Sequence, residues 1–464
     1  MRAKFSSLLA SIFLVGVFTH TAFAQRNWNQ TGGGTFDWTV GGNWTPSSVP
    51  GSADDARITN DLASDQLIIN MGGTSAIGTT NTINFLAVSN GLGSAGITVQ
   101  QAPGVVWRST FGMQLGKNAT LILVTNAFIG TNANLTFDLR AGGSPGTLIL
   151  SNASATSGFS SFLNALSVGG PTNGVSNAGT IQFKPNGNQL VSINYGQTAA
   201  FTNNALGSIV MNGTGTGAFI GNFGNGNRAF INNGSIFAQA GTLRIDTRDA
   251  FSRGGFQNGS TGFIQIDAGS VLELRRTTNA WNNGPAVTNL GTVVMNGGTW
   301  VHLLTDGNSN NTATNLAGVL ANVGTINGNG TFKATLNSLP GSTVSPGIAG
   351  IGTLNVAGNA TLGSNSTFVV DLGLLPGQND LLAVSSNLTI NANAILNIAG
   401  GVAGNIYTAA TALAVSGTFG TTTPGYTVTY DATDVFIQVV PEPSTLLLVV
   451  IGLAGAVGFR RRRS

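Results

Sequence analysis

The densest group of ionisable side chains is Arg244, Asp246, Arg248, Asp249 and Arg253, followed one repeat later by Asp267, Glu273, Arg275 and Arg276. Paired carboxylates among arginines are the raw material of polysaccharide cleavage. One carboxyl protonates the leaving oxygen while the other acts as nucleophile or base, at separations of about 5 Å for retention or ~6.5–9.5 Å for inversion. Asp246 lies 12 residues after Gly234 and Glu273 lies 11 after Gly262, which makes them expected neighbours on adjacent repeats. The plainer reading, which the pattern favours, is a solvated ladder of arginine–carboxylate pairs without chemistry.

Few other residues offer chemistry. The chain has no cysteine, which excludes a disulfide framework, thiolate metal ligands and cysteine catalysis. Its two histidines are His20 and His302. His302 has no recognisable nucleophile motif to serve. The glycines of residues 112–118 (GMQLGKN) fail the phosphate-loop spacing and lack its final Ser/Thr. Asp54-Asp55 is a single acidic pair, and no EF-hand or nonapeptide calcium repeat accompanies it. Asn118-Ala119-Thr120 is a sequon expected by chance in a chain this rich in Asn and Thr. No catalytic residue, metal or cofactor is therefore expected.

The elements that would carry these residues are short strands. A glycine followed by a small or β-prone residue and then an apolar one recurs at Gly146, Gly179, Gly207, Gly234, Gly262, Gly291, Gly324 and Gly352, at spacings of 27–33 residues. A second glycine follows several of them by six or seven residues: Gly241, Gly269, Gly298 and Gly330. Asn177, Asn232, Asn289 and Asn322 each stand two residues before a repeat glycine. The runs between alternate with period two, as in Phe263-Ile264-Gln265-Ile266-Asp267, and period two reads as strand. With 42% hydrophobic and only 8% charged residues, the chain buries a core rather than staying disordered. The fold expected is all-β: a parallel β-helix of ~28-residue coils, about fifteen in number and roughly 70 Å long at the strand spacing. Glycine and asparagine are expected where φ is positive, and stacked Asn and Thr are expected to form hydrogen-bonded ladders.

Both ends read as addresses. Arg2 and Lys4, the apolar run 8–18, and the small residues Ala22 and Ala24 around Phe23 describe a secretory signal peptide cut before Gln25. At the other end Pro441, Glu442 and Pro443 precede an apolar stretch, residues 445–459, and then Arg460, Arg461, Arg462 and Arg463. As a helix that stretch is about 22 Å long at ~1.5 Å per residue, short of the ~30 Å hydrocarbon core. Snorkelling arginines extend its reach and hold it with the arginine end cytoplasmic. The formal charge of +3 is set by these ends. Without them the body is near −2, so the basic pI gives no footprint for nucleic acid.

The order Pro-Glu-Pro, apolar helix, terminal arginines over residues 440–464 resembles the PEP-CTERM sorting signal. That resemblance implies processing by an exosortase at Pro441, Glu442 and Pro443, delivery to the cell surface, and a bacterial envelope often rich in exopolysaccharide. Three tryptophans, Trp28, Trp38 and Trp44, open the body beside Val49-Pro50-Gly51 and Asp54-Asp55. That opening resembles autotransporter-like surface β-helix proteins, as do residues 324–399 with Ser345-Pro346-Gly347, Gly352-Thr353-Leu354 and Asn379-Asp380. The tryptophans are expected to plug the open end of the helix, with a sugar-stacking platform on Trp38 and Trp44 as the alternative. The domains expected are the signal peptide (1–24), a Trp-rich cap (25–60), β-helix repeats (61–399), closing strands (400–439) and the sorting signal with a transmembrane helix (440–464). The function expected is that of an exported structural or adhesive surface protein. Its expected partners are signal peptidase, an exosortase, the membrane and exopolysaccharide, with no nucleic acid among them. The alternative is a polysaccharide lyase or glycosidase using Asp246 and Glu273.

Overall fold

The computed structural model describes residues 24–30, 33–59, 67–71, 80–89, 96–101, 106–116, 118–124, 127–129, 134–137, 146–151, 165–168, 175–187, 190–195, 200–221, 229–247, 255–277, 287–305, 318–348 and 350–441. The described residues form an all-β parallel solenoid, with one 3-10 turn at Gly41–Asn43 and no α-helix. Among them no helix is long and apolar enough to cross a membrane.

The period-two runs do what their alternation dictates. Thr180–Lys184, Ser208–Met211 and Ser235–Ala238 point every second residue inward, where Ile181, Phe183, Ile209, Met211, Ile236 and Ala238 are buried. The residue after each repeat glycine stacks on its counterpart one coil away: Thr147, Thr180, Ser208, Ser235, Phe263, Thr292 and Thr325 are Cα partners in turn. This first face pairs parallel without a break from Gly34–Asp37 to Thr421–Thr422. A second face carries strands such as Thr242–Asp246 and Val271–Thr277. A third is a separate sheet of ten strands running from Val175–Asn177 to Ala414–Gly417.

One correction concerns complete turns: among the described residues the third face has ten strands, so about ten turns carry all three faces, while the first face has the fifteen strands expected from a 28-residue period. A second correction concerns Gly352-Thr353-Leu354. It leaves the column and pairs on the second face with residues 330–332, because the first-face position after Thr325 is taken by Thr343. A third concerns the glycines themselves. The second glycines Gly241 and Gly269 have φ of +58° and +77°. The repeat glycines do not need a left-handed backbone; they need space. A Cβ on Gly262 would come within 2.2 Å of Asn258 Oδ1 and 2.4 Å of the Asn232 carbonyl.

Both ends of the column are closed by antiparallel strands, which satisfy the backbone edges a parallel stack leaves open. Trp44–Thr45 covers Ala24–Trp28 at one end. Asp434–Val439 covers Ile406–Thr411 at the other and is itself paired with Tyr426–Tyr430.

Candidate functional site

From Phe201–Asn203 to Val319–Asn322 the third-face strands are three or four residues long and place one apolar side chain and one asparagine inward, as in Phe201 with Asn203, Phe230 with Asn232, Phe256 with Asn258 and Val287 with Asn289. Stacking these strands lines the asparagines into a continuous ladder. Each Nδ2 donates to the next Oδ1, from Asn177 through Asn203, Asn232, Asn258 and Asn289 to Asn322, at 2.7–2.8 Å. The second Nδ2 proton of Asn232 goes to the Phe263 carbonyl at 3.3 Å, and that of Asn289 to the Thr325 carbonyl at 3.2 Å. All six amides are fully buried, which is tolerable only because each is paired. Four of the six were legible from their place two residues before a glycine. Asn203 and Asn258 were not, since each stands four residues before its glycine. The signal they do carry is an inward apolar residue two positions earlier, at Phe201 and Phe256.

The charged group is a checkerboard on the second face. The register sets Arg244 opposite Glu273 and Asp246 opposite Arg275. Glu273 Oε1 accepts from Arg244 Nε at 2.7 Å and also from Arg275 Nε. The direct partner of each carboxylate is thus an arginine, and Asp246 and Glu273 meet only on the diagonal. Cross-strand opposite charges of this kind contribute roughly 0.2–1 kcal/mol each. Arg248, Asp249 and Arg253 lie outside the described residues, as does the side chain of Arg276.

His302 faces the interior in register with Leu274 and is 1% exposed. Gly318 packs on its ring so closely that a Cβ there would come 2.1 Å from Nδ1. Trp38 and Trp44 are each 1% exposed and cross edge to face at 4.5 Å. Trp28 and Trp107 close the cluster at 5.0 and 5.1 Å, and Trp44 Nε1 donates to the Trp38 carbonyl at 3.0 Å. The indole faces are spent on one another, which removes the sugar platform. Asp54 Oδ2 accepts the Gly51 N–H at 2.8 Å and faces Arg26 Nε at 3.4 Å, so it serves its own turn.

In the C-terminal coils Asp380 is fully buried. Its Oδ1 accepts the Gly352 N–H at 2.8 Å and its Oδ2 the Asp371 N–H at 3.0 Å. Burial pushes its carboxyl up to about 6; the two N–H donors pull it the other way, and the nearby Asp371 charge adds to the rise. The Asn379-Asp380 pair is therefore the clamp that holds the wide corner loops of these coils. Asn379 Nδ2 donates to the Thr408 carbonyl one coil on, at 2.6 Å.

The closing strand Asp434–Val439 delivers the chain to Pro441, which is exposed at the end of the column. Glu442, Pro443, Arg460, Arg461, Arg462 and Arg463 lie outside the described residues, as do Ala22 and the rest of residues 1–23. Ala24 is described, exposed at the start of Ala24–Trp28. The family model of the PEP-CTERM protein-sorting motif matches residues 439–463. No curated protein matches the chain. The chain thus carries a PEP-CTERM sorting motif on a β-solenoid body, and the motif implies export, exosortase processing and association with the surface or the membrane.

Proposed function

We propose that this chain is a structural or adhesive surface protein, carried out of the cytoplasm by residues 1–24, held in the inner membrane by residues 445–459 and passed on by an exosortase acting at Pro441, Glu442 and Pro443. The observation that carries the reading is the sorting motif directly after the closing strand, starting at exposed Pro441, where an enzyme reaches it without unfolding the body. The body suits a passive role. Many of its outward positions are Thr, Ser and Asn, which offer weak polar contacts to glycans or proteins of an exopolysaccharide matrix.

The same reading gives the chain no catalysis of its own. The rival lyase or glycosidase would need Asp246 and Glu273 free to reach one glycosidic bond, whereas Glu273 is taken up by two arginines. Fractionation of cells expressing the chain with and without residues 441–464 tests the proposal. The full chain is expected in the membrane and then at the surface, and the truncated chain in the soluble periplasm. Equal distribution of the two would overturn it.

A further inference from the structure

The corner between the first and second faces changes character along the column. In the middle coils it is short and polar or glycine-rich: Gln239-Ala240-Gly241 between Ser235–Ala238 and Thr242–Asp246, then Ala268-Gly269-Ser270 between Phe263–Asp267 and Val271–Thr277. In the last three coils the same corner widens into residues 347–352, 373–380 and 401–405. Large apolar residues now stand at the tips. Leu374 is 75% exposed and Leu375 59%, with Ile348, Ile351, Val402 and Ile406 also exposed.

These tips form one ridge rather than scattered singles. Ile351 Cδ1 lies 2.8 Å from where a Cβ on Gly373 would stand. Asn405 Nδ2 donates to the Leu374 carbonyl at 3.4 Å, and Tyr407 Oη donates to the Gly373 carbonyl at 2.9 Å. The Gly404 N–H donates to the Val439 carbonyl at 2.9 Å, which brings the ridge to exposed Val440. The corner loops carry no basic residue; Asp380 is buried, and Asp371, just before the second loop, is the flanking exposed acid. A contiguous, uncharged apolar ridge marks a place where something apolar sits.

The position of the chain's exit says what that is. Five residues, 440–444, separate the closing strand from the apolar stretch 445–459. Fully extended they span about 17 Å at ~3.3–3.6 Å per residue. While residues 445–459 are in a bilayer, the C-terminal end of the solenoid is therefore held at the headgroups. That stretch is also short of the hydrocarbon thickness, a mismatch relieved when flanking apolar surface sinks toward the interface.

We propose that the ridge of Ile348, Ile351, Leu374, Leu375, Val402 and Ile406 rests in the lipid interface of the membrane in which the tail is anchored, holding the C-terminal coils of the column against it until the tail is cut. The proposal rests on the tail being inserted. The ridge then acts as a second contact that fixes the orientation of the body, and its release follows from cleavage, since so small a surface lacks the area to bind lipid stably without the tether.

The absence of cysteine makes the test direct, because one introduced cysteine is the only label site. The full chain carrying Leu374→Cys, Leu375→Cys or, as control in a middle corner, Ala268→Cys is labelled with an environment-sensitive fluorophore. It is then reconstituted into phosphatidylethanolamine–phosphatidylglycerol vesicles with and without brominated acyl chains. Flotation of the vesicles reports tail insertion separately. The expected result is flotation of all three, with strong quenching by brominated lipid at 374 and 375 and none at 268. Flotation with 374 and 375 as unquenched as 268 overturns the ridge while leaving the anchor standing; failure to float removes both. Self-quenching at 374 in detergent, without lipid quenching in vesicles, would identify a second copy as the occupant and also overturn the proposal.

Discussion

The coils from Asn177 to Asn322 and those from Ser338 onward use one backbone path and two different interiors. In the first set the inward position at the end of each third-face strand is an asparagine, bonded to the next. In the second set the same column reads Ser338, Leu362 and Ile390, paired in register and buried. The ladder ends at Asn322, whose Nδ2 reaches the Thr343 carbonyl at 3.5 Å, and the Ser338 hydroxyl beyond it has no hydrogen-bond partner among the described residues. Polar specification is handed over to Asp380, which holds the wide corner loops instead. The difference shows two ways of fixing register in a solenoid. A buried amide ladder tolerates no slip, because every misplaced rung leaves unpaired groups. An apolar column tolerates slip and needs a clamp elsewhere.

The largest expected effect comes from breaking a rung. Asn232→Leu strands an Asn203 Nδ2 proton and Asn258 Oδ1 in a dry interior, at about 1–3 kcal/mol for each unsatisfied group. Denaturant unfolding should show a loss of about 2–6 kcal/mol, with hydrogen exchange rising first between residues 203 and 289. A loss below that of an ordinary surface change would show that the ladder is decoration.

Gly262→Ala attacks the same ladder by sterics. Its Cβ would overlap Asn258 Oδ1, and overpacking of this kind costs typically 1–3 kcal/mol or more. Gly269→Ala meets open space but a φ of +77°, so it should cost about 1 kcal/mol. Melting of the two variants side by side separates the lack of space from the left-handed backbone.

Acidity probes the second region. Asp380 holds its proton more tightly folded than unfolded, so its contribution is fully present below 3.8 and is lost as pH rises through about 6. The C-terminal coils should therefore gain stability on the order of 3 kcal/mol as pH falls across that window. Asp431 acts in the opposite sense, because the N–H groups of Thr433 and Asp434 hold its carboxyl below the usual range. The clean measurement is thus the pH dependence of the native chain minus that of Asp380→Asn. Identical slopes would show that burial does not raise the Asp380 carboxyl.

Two small effects complete the series. Arg244→Ala removes one of two arginines from a carboxylate that is 15% exposed; Arg275 keeps the charge paired, so the change should cost about 1 kcal/mol by thermal melting. Ser338→Leu replaces an unpartnered hydroxyl, next in register to Leu362, and should change stability by less than about 1 kcal/mol in either direction. A large loss there would mean that the ladder logic extends beyond Asn322.

Much of the column was legible before any coordinates. The glycine repeat named the first face correctly over seven strands, since glycine spacing records where one coil crowds the next. It misplaced Gly352-Thr353-Leu354, whose local pattern is indistinguishable from the others. Only the length of chain between Thr325 and Thr343 decides which face that triplet joins. Counting offsets from glycine likewise put Asp246 beside Glu273. The strand register gives each of them an arginine, because Ile266 and Val271 lie one residue further apart than their register partners Ala238 and Thr242.

The sequence by itself determined the period, the strand character and the sorting motif, because each is written in residues adjacent along the chain: alternation, glycine, and an ordered Pro-Glu-Pro, apolar and arginine run. Tertiary structure alone decided which side chains meet. The amide ladder, the charge checkerboard, the buried Asp380 and the apolar ridge are all contacts between coils some 18–36 residues apart. Their geometry depends on every intervening turn length, and no local pattern records that.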